Sequence, residues 1–146
     1  MDKKYLSKLA NIEILSRYIK DSYDELDMDN LKYIFTVDNH IEANFIDKTI
    51  DIEVNIKVNA EGSEGNSIEC GGIKLLLNFI VEYDSKYIKD KKYDENVIIS
   101  IGEIAIDTSR GIMWDSFRGT YLHRAILPIM TGEKLIPKRK SSKVAK

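Results

Sequence analysis

The stretch Thr49-Ile50-Asp51-Ile52-Glu53-Val54-Asn55-Ile56-Lys57-Val58-Asn59-Ala60 decides the fold class. Its branched apolar residues, Ile50, Ile52, Val54, Ile56 and Val58, alternate with Asp51, Glu53, Asn55 and Lys57. Successive strand side chains point to opposite faces, so the pattern places apolar groups on one side and charge on the other. Such a strand belongs to an antiparallel sheet with one wet face.

Upstream, Leu31, Tyr33, Phe35 and Val37 alternate in the same way, and Ile41, Ala43 and Phe45 resume after Asp38-Asn39-His40. This predicts one long bent strand or two short ones. Downstream, residues 61–67 are small and polar with two glycines, the composition of a turn-rich loop. The run Ile73–Tyr83 carries Leu75, Leu77, Phe79 and Val81 on one side and Leu76 and Ile80 on the other, which predicts a strand covered on both sides. The first twenty residues allow two readings. Leu6, Leu9, Ile12 and Ile19 fit a helix stripe, whereas Ile12, Ile14 and the Tyr18-Ile19 pair fit a strand.

Beyond a charged connection over Tyr83–Asn96 the apolar period changes from two to about 3.6 residues. Asn96 is a candidate N-cap, its side-chain oxygen available to the free amides of a first turn. Apolar residues then fall at Val97, Ile101, Ile104, Ala105 and Ile112, and again at Ile98, Ile99, Ile106, Met113 and Phe117. A helix apolar around so much of its circumference needs partners on more than one side. Gly102, Ala105 and Ser109 form a row of small residues suited to close backbone approach. Gly119 supplies a stop and Pro128 ends the next segment, with a short second helix expected around Gly132–Ile136. Strands first and helices after predict an α+β domain, with an antiparallel sheet and helices on one face.

The composition is that of a globular protein: 43% hydrophobic and 32% charged over 146 residues, enough for one domain with a core. The expected division is a single domain over 1–136 and a basic tail over 137–146. Six basic residues from Lys134 onward, with no acid among them, leave 16 basic against 24 acidic residues before them, a net charge of −8. An acidic body repels phosphate backbones, so no nucleic-acid partner is expected, although the tail alone could touch phosphate. The plainer reading of the tail is a solvated terminus. Met1 to Lys20 lacks the apolar run of a secretory signal, no segment approaches a membrane span, and Cys70 stands alone. The expected setting is cytoplasmic.

Catalytic patterns are missing. His40, His123 and Cys70 lie in separate segments without ligand spacing. Gly71-Gly72 has neither the spacing nor the following helix of a phosphate cradle. Glu103 and Asp107 are better explained as a solvated helix stripe or an intersubunit ion pair than as a carboxylate pair. The reading is of a non-enzyme without metal or cofactor.

The segment Ile104–Ile136 contains the single tryptophan, Trp114, two Arg-Gly steps, Arg110-Gly111 and Arg118-Gly119, and a Leu-Pro flanked by aliphatics. With Arg118-Gly119-Thr120-Tyr121 followed by Ile126-Leu127-Pro128-Ile129, it resembles the C-terminal part of the SecB chaperone family. The order of strands upstream matches that family's four-stranded antiparallel sheet in position.

The resemblance implies a strand at the N-terminus, followed by a long helix and a short C-terminal helix on one face of the sheet. It implies a homo-oligomer, a dimer of dimers with the long helices between sheets, and Ile101, Gly102, Ala105, Ser109 and Ile112 are the expected interface. It implies a holding chaperone for unfolded polypeptides, including proteins for export. Its client groove would lie between the sheet and the Tyr121–Ile129 crossing, lined by Phe35, Leu75, Leu77, Phe79, Trp114, Phe117, Tyr121, Leu122, Ile126 and Leu127. Handover to SecA is the export version of this function; a module dedicated to one partner, such as an antitoxin, is the alternative. The basic tail departs from the export members and leaves the SecA contact open.

Overall fold

In the computed structural model, residues 5–20, 32–61, 67–83, 92–120 and 122 are described. Four strands, β1 (Tyr5–Ile19), β2 (Lys32–Asn44), β3 (Thr49–Glu61) and β4 (Ser67–Tyr83), precede one helix, α1 (Glu95–Ser116). The sheet order is β1-β4-β3-β2 and every neighbouring pair is antiparallel. The expected α+β sheet-then-helix architecture is therefore the one observed. The short helix expected near Gly132–Ile136 and the 137–146 tail lie outside the described residues.

The alternation in β3 is realised in full. Ile50, Ile52, Val54, Ile56, Val58 and Ala60 are all buried on the face toward α1. On β4 the same face carries Ile73, Leu75, Leu77, Phe79 and Val81, also buried. Removing such branched and aromatic side chains from water contributes roughly 1.5–3 kcal/mol each, so these two central strands form the main part of the core. The helix rests on β3 and β4 and adds Val97, Ile101, Ala105, Ile106 and Met113.

One reading of the strands is narrowed and another is corrected. Of the two alternatives for residues on either side of Asp38-Asn39-His40, the single long strand is the one observed: β2 runs unbroken from Lys32 to Asn44 in register with β3. β4 is not covered on both sides: among the described residues no element packs on its far face, where Leu76 and Ile80 are half-buried. Their cross-strand neighbours on that face are Glu13 and Glu53 for Leu76, and Lys8 and Thr49 for Ile80.

β1 is a strand, as the resemblance implied, and it is irregular. Its register against β4 shifts between Leu9 and Asn11 and again between Ile14 and Ser16. Each shift is a bulge, which bends the strand and re-aims the side chains beyond it. The second glycine of the Gly71-Gly72 pair explains the fit at the far end of this strand. Tyr18 lies across Gly72, where a Cβ would come within 2.9 Å of the ring. Its hydroxyl donates to Glu69, and Lys20 Nζ lies 3.5 Å from the same carboxylate.

At the opposite end of the sheet four aromatic residues from four places in the chain meet. Phe45 stacks on Tyr83 with centroids 3.9 Å apart, and Tyr93 meets both edge-on. Tyr5 joins from β1, 6.0 Å from Tyr93. Tyr93 donates its hydroxyl to the Val81 carbonyl at 2.9 Å. Burial, with the neighbouring Tyr83 and Tyr5, pushes its pKa up to about 12. This cluster fixes the entry into α1.

The N-cap of the helix lies two residues earlier than expected. Asp94, with extended φ and ψ, is the N-cap, and its side chain makes no capping bond. Instead the Asp94 amide faces the Tyr5 hydroxyl at 3.4 Å and its carbonyl accepts from Val97 and Ile98. Asn96 thus lies inside the first turn, because the Tyr93 anchor sets the start. At the other end Phe117 is the C-cap and Gly119 takes φ +84°, the left-handed region that glycine adopts without penalty. The last turn of α1 holds no basic residue of its own. Arg17 of β1 fills that role by donating from Nη1 to the Ser116 carbonyl, a cation at the negative end of the helix dipole.

Candidate functional site

The sheet's inner face divides into a part under α1 and a part beside it. α1 rests on β3 and β4, which leaves the edge strand β2 flanking the helix. On β2 the inward positions are Tyr33, Phe35, Val37, Asn39 and Ile41, each half-buried, and opposite them lie Ala60, Val58, Ile56, Val54 and Ile52 of β3. The result is an apolar shelf along an edge strand.

Placed on this fold, the expected client-binding residues separate. Leu75, Leu77 and Phe79 point into the core beneath the helix, and Phe117 and Leu122 are equally buried. Leu122 seals the far end by packing on Gly71, whose missing Cβ would stand 2.8 Å from Leu122 Cδ1. These five side chains present no surface to a partner in this conformation. Phe35 on the shelf and Trp114 on α1, the latter 39% exposed, retain surface. The Arg118 guanidinium lies 5.0 Å over the Trp114 ring. Tyr121, Ile126 and Leu127 lie outside the described residues.

The expected interface residues fare similarly. Ile101, Gly102, Ala105 and Ser109 are buried within the protomer, and Ile112 is half-buried against the core. Ser109 satisfies its hydroxyl by donating to the Ala105 carbonyl at 2.7 Å, so a polar residue can sit in this row without an orphaned group. The solvent side of the helix instead shows Ile104 and Trp114, with Gly111 between them in open space. These three stand at i, i+7 and i+10, one stripe of the helix. On β1, Ile12, Ile14 and Leu15 are exposed as well.

Asn39 shares the phase of Phe35, Val37 and Ile41, so a polar residue sits on the apolar side of the strand; that phase was legible in the sequence once residues 38–40 are taken as part of one long strand. Its neighbours in sequence, Asp38 and His40, are exposed.

The outer face is polar and knit by side chains. Asn11 donates to Asn78 at 3.2 Å and Asn78 to Asp51 at 2.9 Å, a rung across three strands. Lys74 pairs with Glu53 at 3.3 Å, and His40 Nε2 lies 3.3 Å from Glu42. Beside Gly72, burial and the Glu69 carboxylate push Tyr18 up to about 12, while the Tyr18 hydroxyl holds Glu69 below its usual value. Among the described residues no three His, Cys, Asp or Glu side chains gather as metal donors, and no helix is long and apolar enough to cross a membrane. What the described surface offers is contact: an apolar shelf, an unpaired strand edge and a charged reverse side.

No family model and no curated protein matches the sequence. Among solved structures the chain is similar to the SecB-like chaperone Rv1957 of Mycobacterium tuberculosis, determined in complex with a ChAD peptide from the Rv1956 HigA1 antitoxin. The TM-score is 0.61 over 86% of this chain and 90% of that one, at 8% sequence identity. The likeness is one of fold: this chain has a SecB-like sheet and helix.

Proposed function

We propose that this chain is a SecB-like chaperone, a cytoplasmic holdase that keeps non-native polypeptides from aggregating. The observation that supports the reading is the half-buried apolar shelf of Tyr33, Phe35, Val37 and Ile41 on the open edge of a SecB-like fold. A few non-directional apolar contacts of roughly 1.5–3 kcal/mol per buried side chain hold many sequences without selecting one. Among the described strands β2 stands at the edge of the sheet, where an extended segment can add through main-chain hydrogen bonds. Neither mode requires catalysis. Phe35 and Trp114 are the client contacts favoured by exposure, with Tyr121, Leu122, Ile126 and Leu127 completing the groove if the crossing segment moves with the client.

The active assembly in this reading is a dimer of dimers. Ile104 and Trp114 on the helix and Ile12, Ile14 and Leu15 on β1 leave apolar surface that a second copy would cover. A second reading is a module dedicated to one partner, favoured by the antitoxin peptide in the Rv1957 complex. Export, with SecA as the receiving partner, is the third specialisation of the same holdase.

Light scattering tests the proposal directly. A tetramer of about 67 kDa, four times 16.8 kDa, that takes up a carboxymethylated unfolded protein and ignores its native form supports the holdase. A particle that binds an antitoxin segment but ignores unrelated unfolded chains supports the dedicated module. A monomer indifferent to both refutes the chaperone reading.

A further inference from the structure

The sheet has two faces, and α1 with the β2 shelf occupies one of them. On the other, three adjoining rungs cross all four strands. From β2 to β1 they read Glu42–Asp51–Asn78–Asn11, His40–Glu53–Leu76–Glu13 and Asp38–Asn55–Lys74–Ser16. Five carboxylates and one ammonium stand among these residues, a net charge of −4 with His40 uncharged. Lys74 is already engaged with Glu53 at 3.3 Å. The rungs on either side bring in Lys57 and Lys8, so the acidity is confined to this block. Among the described residues no element packs on it, and Leu76 and Ile80 are half-buried there. The sequence holds a segment that matches. From Lys134 to Lys146 it carries six basic residues and no acid, and Leu135-Ile136 lie beside the first of them.

We propose that residues 134–146 dock across this block and cover the outer face of their own sheet. This goes beyond the holdase reading and does not depend on it. Charge complementarity selects the occupant: a block of −4 meets a segment of +6 within one chain, whose body before Lys134 carries −8. Leu135 and Ile136 supply aliphatic contact for Leu76 and Ile80, which charge alone would leave wet. Tethering helps, because a segment joined to its site acts at a high effective concentration and needs little intrinsic affinity. The reach is sufficient. Leu122 packs on Gly71, which stands about 17 Å along β4 from Leu76. Passing from one face to the other adds about 10 Å, whereas residues 123–133 can span about 36 Å. The contact is between side chains over a sheet face, so it leaves the β2 shelf on the opposite face free. A cationic partner of the outer face would have to displace the tail, which makes the tail a built-in competitor for that surface.

Trypsin reads this contact in the full chain, since it cuts after the same basic residues that docking engages. Cleavage after Lys138, Arg139 and Lys140 should be about tenfold slower at about 10 mM salt than at about 1 M, where screening within about 3 Å removes the attraction. A free peptide of residues 134–146 corrects for any effect of salt on the protease. The triple variant Asp38→Asn, Glu42→Gln, Glu53→Gln should be cut fast at both salts. Carbodiimide, which joins amines to carboxylates in contact, should link Lys138, Lys140 or Lys143 to Glu42, Asp51 or Glu53 in the unaltered chain. In protein refolded from equal parts of ordinary and heavy-nitrogen-labelled chain, the linked peptides should carry one label. Corrected rates that do not change with salt overturn the proposal and leave a solvated tail. Protection that survives in the triple variant overturns it as well. Links to Glu103, Asp107 or Asp115 of α1, or pairs of mixed label, do the same by placing the tail on another surface or another copy. The salt comparison and the links use the unaltered chain, so a variant that fails to fold leaves the test intact.

Discussion

Replacing Gly71 with alanine should destabilise the protein, whereas the same replacement at Gly111 should stabilise it. A Cβ on Gly71 would lie 2.6 Å from the Tyr18 carbonyl oxygen and 2.8 Å from Leu122 Cδ1. The leucine can rotate, but the carbonyl belongs to β1 and cannot retreat without loosening the β1–β4 pairing. Extra methyl groups in a packed interior cost about 1–3 kcal/mol, and loss of glycine's freedom in the unfolded chain returns about 0.4–1 kcal/mol. The expected net loss for Gly71→Ala is therefore about 1–2 kcal/mol. A Cβ on Gly111 meets nothing within 4 Å on the exposed side of α1. Alanine is favoured over glycine there by about 1 kcal/mol. Urea unfolding monitored by helical circular dichroism, at fixed protein concentration, reads both changes on one scale. In a Leu122→Ala background the penalty at Gly71 should shrink without vanishing, because the Tyr18 oxygen remains. Equal signs at the two glycines, or complete rescue by Leu122→Ala, would refute the reasoning.

Three further outcomes are expected. Arg17→Met should lower stability by about 1 kcal/mol and speed amide exchange in the last turn of α1, since it removes the only cation donating to the Ser116 carbonyl among the described residues. Phe79→Ala, at a fully buried site, should cost about 3–5 kcal/mol in the same denaturation assay. The third concerns pH. Glu69 is held below its ordinary 4.5, so its contribution is present above that value and is lost as pH falls below it; Tyr18→Phe should flatten this acid limb. Tyr18 and Tyr93 are raised from 10.0 to about 12, so their contribution is intact below pH 10 and lost as pH climbs toward 12. At least two of the eight tyrosines should therefore ionise late in an absorbance titration of the folded protein.

The sheet was legible where one face is buried and the other wet. In β3 every second residue answers to a single environment, so the period of two survives unaltered into the structure. It was less legible at β2, where a polar residue occupies the inward phase at Asn39, and at β1, where two bulges scramble the phase. The helix was readable from its apolar residues, but its start was not: a tertiary anchor, Tyr93 on Val81, outweighs the local capping preference of Asn96. The binding residues were hardest. Leu75, Leu77 and Phe79 are apolar for packing, Phe35 is apolar and partly open, and hydropathy scores them alike. Only the position of a strand at the edge or centre of the sheet separates the two cases, and strand order is a long-range property. The small-residue row of Gly102, Ala105 and Ser109 posed the same problem, because close approach to one's own sheet and to a neighbour's helix call for the same side chains.

The pairing of β1 with β4 has a consequence for how the chain is made. Hairpins β2–β3 and β3–β4 join strands adjacent in sequence, and each can close as soon as its second strand exists. β1 is synthesised first and has no neighbour until the last strand of the sheet has emerged. At about 5–20 residues per second that delay is on the order of seconds on the ribosome. Throughout it, Leu6, Leu9, Ile12, Ile14 and Leu15 stand open in an unpaired segment. A nascent copy thus displays an apolar, extended stretch whose burial waits on β4, and that interval is when the chain is most open to association with other copies.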